Sequence, residues 1–186
     1  MERGEAKLAD ESLEKGIFLL EKQDRFGQRL AEARNVRGVA LVSLGRCDEA
    51  AELLRRTATD EMNTTPHLSY FNLGLAELCR DDAAQAVEAF REAVRRQPQF
   101  CVGYYRLAQA LLKLDELDAA DEALNDAIES HSLCSERFQG AYRLRGEVRR
   151  KLGRREEAVA DFERCLELGS KSTDGSACRS ALEEVH

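Results

Sequence analysis

Apolar residues fall along this chain at intervals of three and four, broken by short polar turns, and the whole pattern returns after roughly 34 residues. One copy shows the logic. Ser69-Tyr-Phe-Asn-Leu-Gly-Leu-Ala is followed by a break at Arg80-Asp81-Asp82, and then by Ala86, Phe90, Ala93 and Pro98. The spacing predicts two antiparallel helices packed face to face, with Gly74 and Ala86 at the close contact. Tyr70 and Phe90 fill the wedges at each end of the crossing, and Pro98 stops the second helix.

Taken from the start, Glu5 to Lys22 is an amphipathic helix with Ala9, Leu13, Gly16 and Leu20 on one face. It reads as a second helix without its first, so residues 1–30 are either a partial repeat or a cap on the open end of a stack. Residues 31–64 form the first full copy, with Gly38, Leu41, a break at Leu44-Gly45-Arg46, Ala50 and Leu54; Gly45 supplies the left-handed turn. After a joint at Thr65-Pro66, residues 67–100 form the second. Residues 101–132 form the third, through Tyr104, Leu107, Ala108, Leu111, Leu114, Ala120, Leu124 and Ala127. A short insert around Ser132-Leu-Cys-Ser interrupts the period. Residues 139–168 form the fourth, with Tyr142, Gly146, Leu152-Gly153, Ala158, Phe162 and Cys165 in the matching places, and residues 176–185 form a final capping helix. This register resembles the tetratricopeptide repeat. Four copies in register predict an all-α right-handed superhelix over residues 31–186, an α-α solenoid of four repeats plus flanking helices.

Composition narrows the function. Abundant Ala, Leu, Glu and Arg with two Pro and no Trp favours helices over sheet or disorder. A net charge of −7 argues against nucleic acid as a partner, because phosphate neutralisation needs a basic field. No run approaches the roughly 18 consecutive apolar residues of a membrane span, so membrane attachment is expected only through a lipid anchor, and none is present in these residues. There is no phosphate-cradling glycine loop, Gly-x-Ser-x-Gly, His-Glu-x-x-His or Cys-x-x-Cys, so neither catalysis nor a cofactor is expected. The carboxylate pairs Asp81-Asp82 and Asp115-Glu116 sit in turns, where they cap the helix that follows. His131 could join a metal site only with Cys134 and Cys101, which leaves the fourth ligand missing; no metal is expected.

The six cysteines say more through position than through number. Cys101 opens the first helix of its repeat and Cys134 follows the second, so an antiparallel hairpin brings both to one end. Cys165 and Cys178 flank the loop after the last repeat in the same way. Both pairs are disulfide candidates, which favours an oxidising compartment over six buried thiols. Cys47 and Cys79 fall on the turn side of adjacent repeats and are expected to be free.

In a repeat array of this kind the first helices line a concave groove. Val36, Val39, Val42, Leu68, Phe71, Leu75 and Leu78 then face it in the first two repeats, with Asn72 among them. Tyr105, Arg106, Gln109 and Lys113 follow in the third, and Arg143, Glu147, Arg150 and Lys151 in the fourth, so the groove grades from apolar to basic. Two readings of the Arg-rich stretch 137–155 stand side by side: a solvated charge run, or a selector for acidic groups on a partner.

Arg37-Gly38-Val-Ala-Leu with Gly45-Arg-Cys-Asp-Glu-Ala, then Thr65-Pro66, Phe71-Asn-Leu-Gly and Pro98-Gln-Phe-Cys-Val-Gly-Tyr, resembles the repeat-containing pilotins of type IV pilus systems. The resemblance runs from about Ala31 to the C-terminus, and Cys165 and Cys178 fit the cysteine-containing branch of that family. It implies a protein-binding role in assembly or localisation of the pilus secretin, on the periplasmic side of the outer membrane. The competing class is a cytoplasmic adaptor or co-chaperone clamping a peptide carboxylate in its groove. Asn72 and Arg106 match two clamp positions, while Asn35, Val39 and Val102 stand where the other clamp residues are expected.

Overall fold

The computed structural model describes residues 3–22 and 27–185. Among the described residues the chain forms helices and no strand: α1 (Arg3–Glu21), α2 (Gly27–Ser43), α3 (Cys47–Ala58), α4 (Pro66–Cys79), α5 (Ala83–Arg96), α6 (Cys101–Lys113), α7 (Leu117–Glu129), α8 (Ser132–Arg137), α9 (Gln139–Lys151), α10 (Arg155–Gly169) and α11 (Thr173–Val185). They divide into two units, one holding α1 to α5 and the other α6 to α11. Within each unit, consecutive helices pair as antiparallel hairpins.

The hairpins α2/α3, α4/α5 and α9/α10 close on the same contact. A Cβ added at Gly38 would lie 2.6 Å from Leu54, one at Gly74 2.6 Å from Phe90, and one at Gly146 2.6 Å from Phe162. Leu54, Phe90 and Phe162 are each fully buried. The missing side chain is thus the space the large one occupies, and burying each large residue contributes about 1.5–3 kcal/mol. In α6/α7 the corresponding residues are Ala108 and Leu124, both fully buried.

Each first helix ends alike. Gly45 and Gly153 take φ of 76° and 75°, and Asp81 and Asp115 take 60° at the equivalent turn positions. The next N–H then reaches back to the last helical turn: Arg46 to the Leu41 carbonyl at 2.9 Å, Asp82 to Glu77 at 2.9 Å, Glu116 to Leu111 at 3.0 Å and Arg154 to Arg149 at 2.8 Å. This left-handed closure satisfies carbonyls that the helix end would orphan.

Between hairpins the packing is ionic as well as apolar. Asp10 of α1, nearly buried, accepts from Arg37 of α2 at 2.7 Å and from Arg46 in the following turn. The same arrangement recurs in the second unit, where Asp121 of α7 accepts from Arg149 of α9 at 2.9 Å and from Arg154 in its turn at 2.8 Å. Within the α9/α10 hairpin, Asp161 of α10 also accepts from Arg145 at 2.6 Å and from Arg149 at 3.0 Å. Between α3 and α4 the signs reverse, with buried Glu77 accepting from Arg55 at 2.6 Å and from Arg80 at 2.7 Å. Part of the Arg-rich stretch is therefore neither a solvated run nor a partner surface, because Arg145 and Arg149 are locked between helices. Asp10 also turns α1 from its expected face. The residues buried on α2 are Ala6, Asp10 and Ile17, while Ala9, Leu13, Gly16 and Leu20 are half-buried at its border, since apolar periodicity does not count a buried carboxylate.

Two boundaries move for local reasons. The expected insert at 132–135 is the short helix α8, begun where the Leu133 N–H donates to His131 Nδ1 at 3.2 Å. The capping helix starts at Thr173 rather than 176, because the Ser172 hydroxyl accepts from the Gly175 N–H at 2.9 Å.

The structure contains disulfides Cys101–Cys134 (Cα–Cα 6.3 Å) and Cys165–Cys178 (6.4 Å). The expectation that Cys47 and Cys79 are free is corrected: they form a third, with Cα atoms 5.6 Å apart. Cys47 opens α3 and Cys79 closes α4, so packing α3 against α4 brings a start and an end to one edge. With Cys101 and Cys134 bonded to each other, the metal set considered for His131 has no thiolate to offer.

Gly74→Ala should cost about 1–3 kcal/mol in chemical unfolding, because Phe90 must move, whereas Gly16→Ala, with open space around its Cβ, should gain up to about 1 kcal/mol. Burial alone would push the Asp10 pKa up, but the hydrogen bonds and charges of Arg37 and Arg46 outweigh it and hold the carboxyl below its usual range. Its stabilisation is then complete above the unfolded value of about 4 and lost as pH falls through the lower folded value. Asp10→Asn should cost about 1–3 kcal/mol at neutral pH, the deficit shrinking below about pH 4. Thiol titration of denatured, unreduced protein from an oxidising compartment should find no free thiol; two would mean that Cys47 and Cys79 do not pair.

Candidate partner-binding surface

The hairpin contact decides which side chains of a first helix remain available. In α4 the positions turned inward are Ser69, Leu73, Gly74, Ala76 and Glu77, all buried. That leaves Leu68, Phe71, Asn72, Leu75 and Leu78 on the opposite side at helical spacing, and in α2 the equivalent register holds Val36, Val39 and Val42. The two helices pack directly against each other, so these residues form one surface within the first unit.

That surface is apolar but uneven. Val36 is 50% exposed, Leu68 39% and Val39 36%, whereas Val42 is half-buried against the core formed by Leu41, Ala51, Leu54 and Leu73. Asn72, Leu75 and Leu78 are half-buried. Phe71 is half-buried too, its ring tilted against Phe90 with centroids 5.7 Å apart. It forms a wall of the surface and joins it to the hairpin contact at Gly74. α1 packs on α2 through Asp10 and Arg37, yet Val36 and Val39 stay exposed, so α1 does not cover the surface.

The first helices of the second unit offer different chemistry. Tyr105 packs on Phe138 with ring centroids 4.9 Å apart. Arg106 donates from Nη1 to Gln109 at 2.7 Å, and its Nε is buried without a hydrogen-bond partner. Lys113 is exposed. Arg143 is held by Glu147 of its own helix and donates to Asp174 of α11 at 2.7 Å; these acids outweigh the burial that would lower its pKa, which is raised. Arg150 reaches Glu184 of α11 at 3.2 Å. Two of the four expected cationic selectors are therefore answered by the C-terminal helix. Sequence reasoning missed Asp174 and Glu184; the available signal was that α11 occupies the register of a further first helix, which places its acids beside α9.

Among the described residues no group of three or more His, Cys, Asp or Glu side chains could hold a metal ion. A groove of about 390 Å³ lies between α1, α2 and α3, lined by Ile17, Phe18, Leu53, Arg34, Arg37 and Arg56 with Glu14 and Glu21. Its inner arginines are already engaged, Arg34 by Glu21 and Asp60 and Arg37 by Asp10 and Glu14.

A family model described as tetratricopeptide repeat matches residues 35–99 and 105–173. A curated relative, tetratricopeptide repeat protein 36 from Xenopus tropicalis, is 34% identical over 90 residues; the match takes in 48% of this chain and spans 45% of that protein's length. Among solved structures, MamA shares the fold at a TM-score of 0.71 and 24% identity, covering 92% of this chain and 96% of MamA. PilW, a type IV pilus biogenesis factor, shares it at a TM-score of 0.70 and 19% identity, over 78% of this chain and 66% of PilW. The repeated glycine-to-ring contact, the left-handed turns and the match over both units lead to one conclusion: the chain belongs to the tetratricopeptide repeat family.

Proposed function

We propose that this chain is a non-enzymatic scaffold that takes an apolar segment of a partner protein on the α2/α4 surface, in the manner of a pilotin acting on a type IV pilus secretin. One observation carries the binding reading: Val36, Val39 and Leu68 are held exposed on a rigid pair of helices in a protein of a family that works through protein interaction. Exposed apolar side chains gathered on one surface mark an interaction site. The finer reading rests on the sequence resemblance to the pilotins, with the fold shared by PilW in support. Three disulfides suit the oxidising periplasm that such a role requires, on the inner side of the outer membrane. The carboxylate-clamp alternative lacks an observation of its own, since Val39 and Val102 are exposed valines at positions where the clamp needs polar groups.

Affinity should rest on the protruding residues. Leu68→Glu and Val39→Glu should each weaken binding of a purified secretin periplasmic domain by roughly tenfold or more, measured calorimetrically, with the unfolding midpoint unchanged. Arg150→Ala should change it less than about threefold, because that side chain is exposed and already paired with Glu184. Phe71 is the wrong probe, since its replacement also strips a contact from Phe90. Secretin binding unaltered in folded Leu68→Glu and Val39→Glu proteins would overturn the proposal.

A further inference from the structure

The three disulfides differ in what a reductant can reach. Cys165 and Cys178 are both fully buried, so neither sulfur can be attacked while the helices stay packed. In Cys101–Cys134 the more open residue is half-buried Cys101, and attack there would expel a thiolate at buried Cys134, a charge that burial disfavours. Cys47 and Cys79 are both half-buried. Cys47 opens α3, where unpaired N–H groups favour a negative charge, and Cys79 closes α4, where carbonyls oppose one. Attack on Cys79 therefore has a good leaving group in Cys47.

The reduced state also finds its partners in place. The Gly45 carbonyl oxygen lies 3.4 Å from Cys47 Sγ and the Val42 carbonyl oxygen 4.0 Å from Cys79 Sγ, so each thiol has an acceptor without backbone movement. The residues that follow the two cysteines, Asp48 and Arg80, form an ion pair at 2.7 Å, and buried Glu77 holds Arg55 and Arg80 at the same junction. These contacts keep the sulfurs near each other once the bond is gone, which makes its closure reversible. We infer that Cys47–Cys79 is a redox switch in the first unit, opened by a dithiol reductant and closed by a disulfide oxidant while the other two bridges stay shut. A thiolate of the reductant attacks Cys79 Sγ, the S–S bond breaks, and Cys47 leaves as a thiolate. The reductant's second thiol then displaces Cys79, and both protein thiolates take up protons. The protein gains two electrons and two protons, and the reductant becomes a disulfide. Opening removes the covalent tie at the edge of the α2/α4 surface, beside Val42 and Leu78. The redox step itself does not depend on what that surface binds.

The test equilibrates the oxidised full chain at neutral pH with graded ratios of reduced to oxidised dithiothreitol, followed by acid quench, alkylation and peptide mass spectrometry of each cysteine. Cys47 and Cys79 should become alkylated together, at a ratio at least about tenfold lower than the other four cysteines require. At that ratio helix content should be unchanged. Amide exchange should rise at least about threefold in the last turn of α4 and the first turn of α3, and not at the Gly38–Leu54 and Gly74–Phe90 contacts. The Cys47→Ser/Cys79→Ser protein should reproduce that exchange pattern with the other two bridges intact. A thioredoxin whose second active-site cysteine is replaced should be captured as a mixed disulfide on Cys79. No secretin enters these measurements, so their failure is distinct from failure of the proposed function. Three pairs opening at one ratio, another pair opening first, capture on Cys47, or amide exchange unaltered by reduction would each overturn the inference.

Discussion

The architecture depends on one steric arrangement: a residue without a side chain on a first helix, and a large buried side chain on the second helix directly above it. At Gly38–Leu54, Gly74–Phe90 and Gly146–Phe162 the helices approach so closely that a single methyl would overlap its neighbour by roughly 1 Å against ordinary contact distance. The contact sets the rotation of each first helix. Once Gly74 and Leu73 face inward, Leu68, Asn72 and Leu75 have nowhere to go but outward. The proposed binding surface is thus the complement of the packing surface, and both are written into the same 14 residues of α4.

Steric closure within a hairpin does not by itself fix how the next helix lies on it. Buried carboxylates do that here. Asp10, Glu77 and Asp121 each hold arginines from a neighbouring helix or turn, and these groups are costly to leave unpaired. An apolar contact tolerates sliding by a fraction of a turn, whereas a forked guanidinium on a carboxylate does not. Cys47–Cys79 adds a covalent tie across α3 and α4, the same junction that Glu77 holds. The α2/α4 surface is therefore presented by helices with little freedom to shift, which lowers the ordering cost of binding.

Fold class was legible because it rests on small and large apolar residues at fixed spacing, which sequence displays directly. The small residues Gly74 and Gly146, the large Phe90 and Phe162, and the turns at Gly45 and Gly153 are readable without coordinates, but the expected partner of Gly74, Ala86, is corrected: the Phe90 ring lies on Gly74 itself rather than in a wedge at the end of the crossing. What the sequence hid were the partners of charged residues. Arg145 and Arg150 sit five residues apart in one basic run, yet one is half-buried against Asp161 and the other is exposed and paired with Glu184. Periodicity ranks positions by apolarity, so it also misplaced the buried face of α1, where the central residue is Asp10. Cys47 and Cys79 escaped because their meeting depends on packing between repeats rather than within one hairpin. In the candidate site, Val36, Val39 and Leu68 followed from register alone, but the role of Phe71 as a wall followed only from the position of Phe90.

The central claim is that a partner is held on α2 and α4 in the first unit, and not on the arginine-bearing helix α9. Site-specific photocrosslinking with benzoylphenylalanine in place of Val39 or Leu68, compared with the same probe in place of Arg143 or Arg150, tests it in the presence of a secretin periplasmic domain. The account predicts a strong adduct from the first two positions and little from the other two. Adducts confined to the Arg143 and Arg150 positions would contradict it.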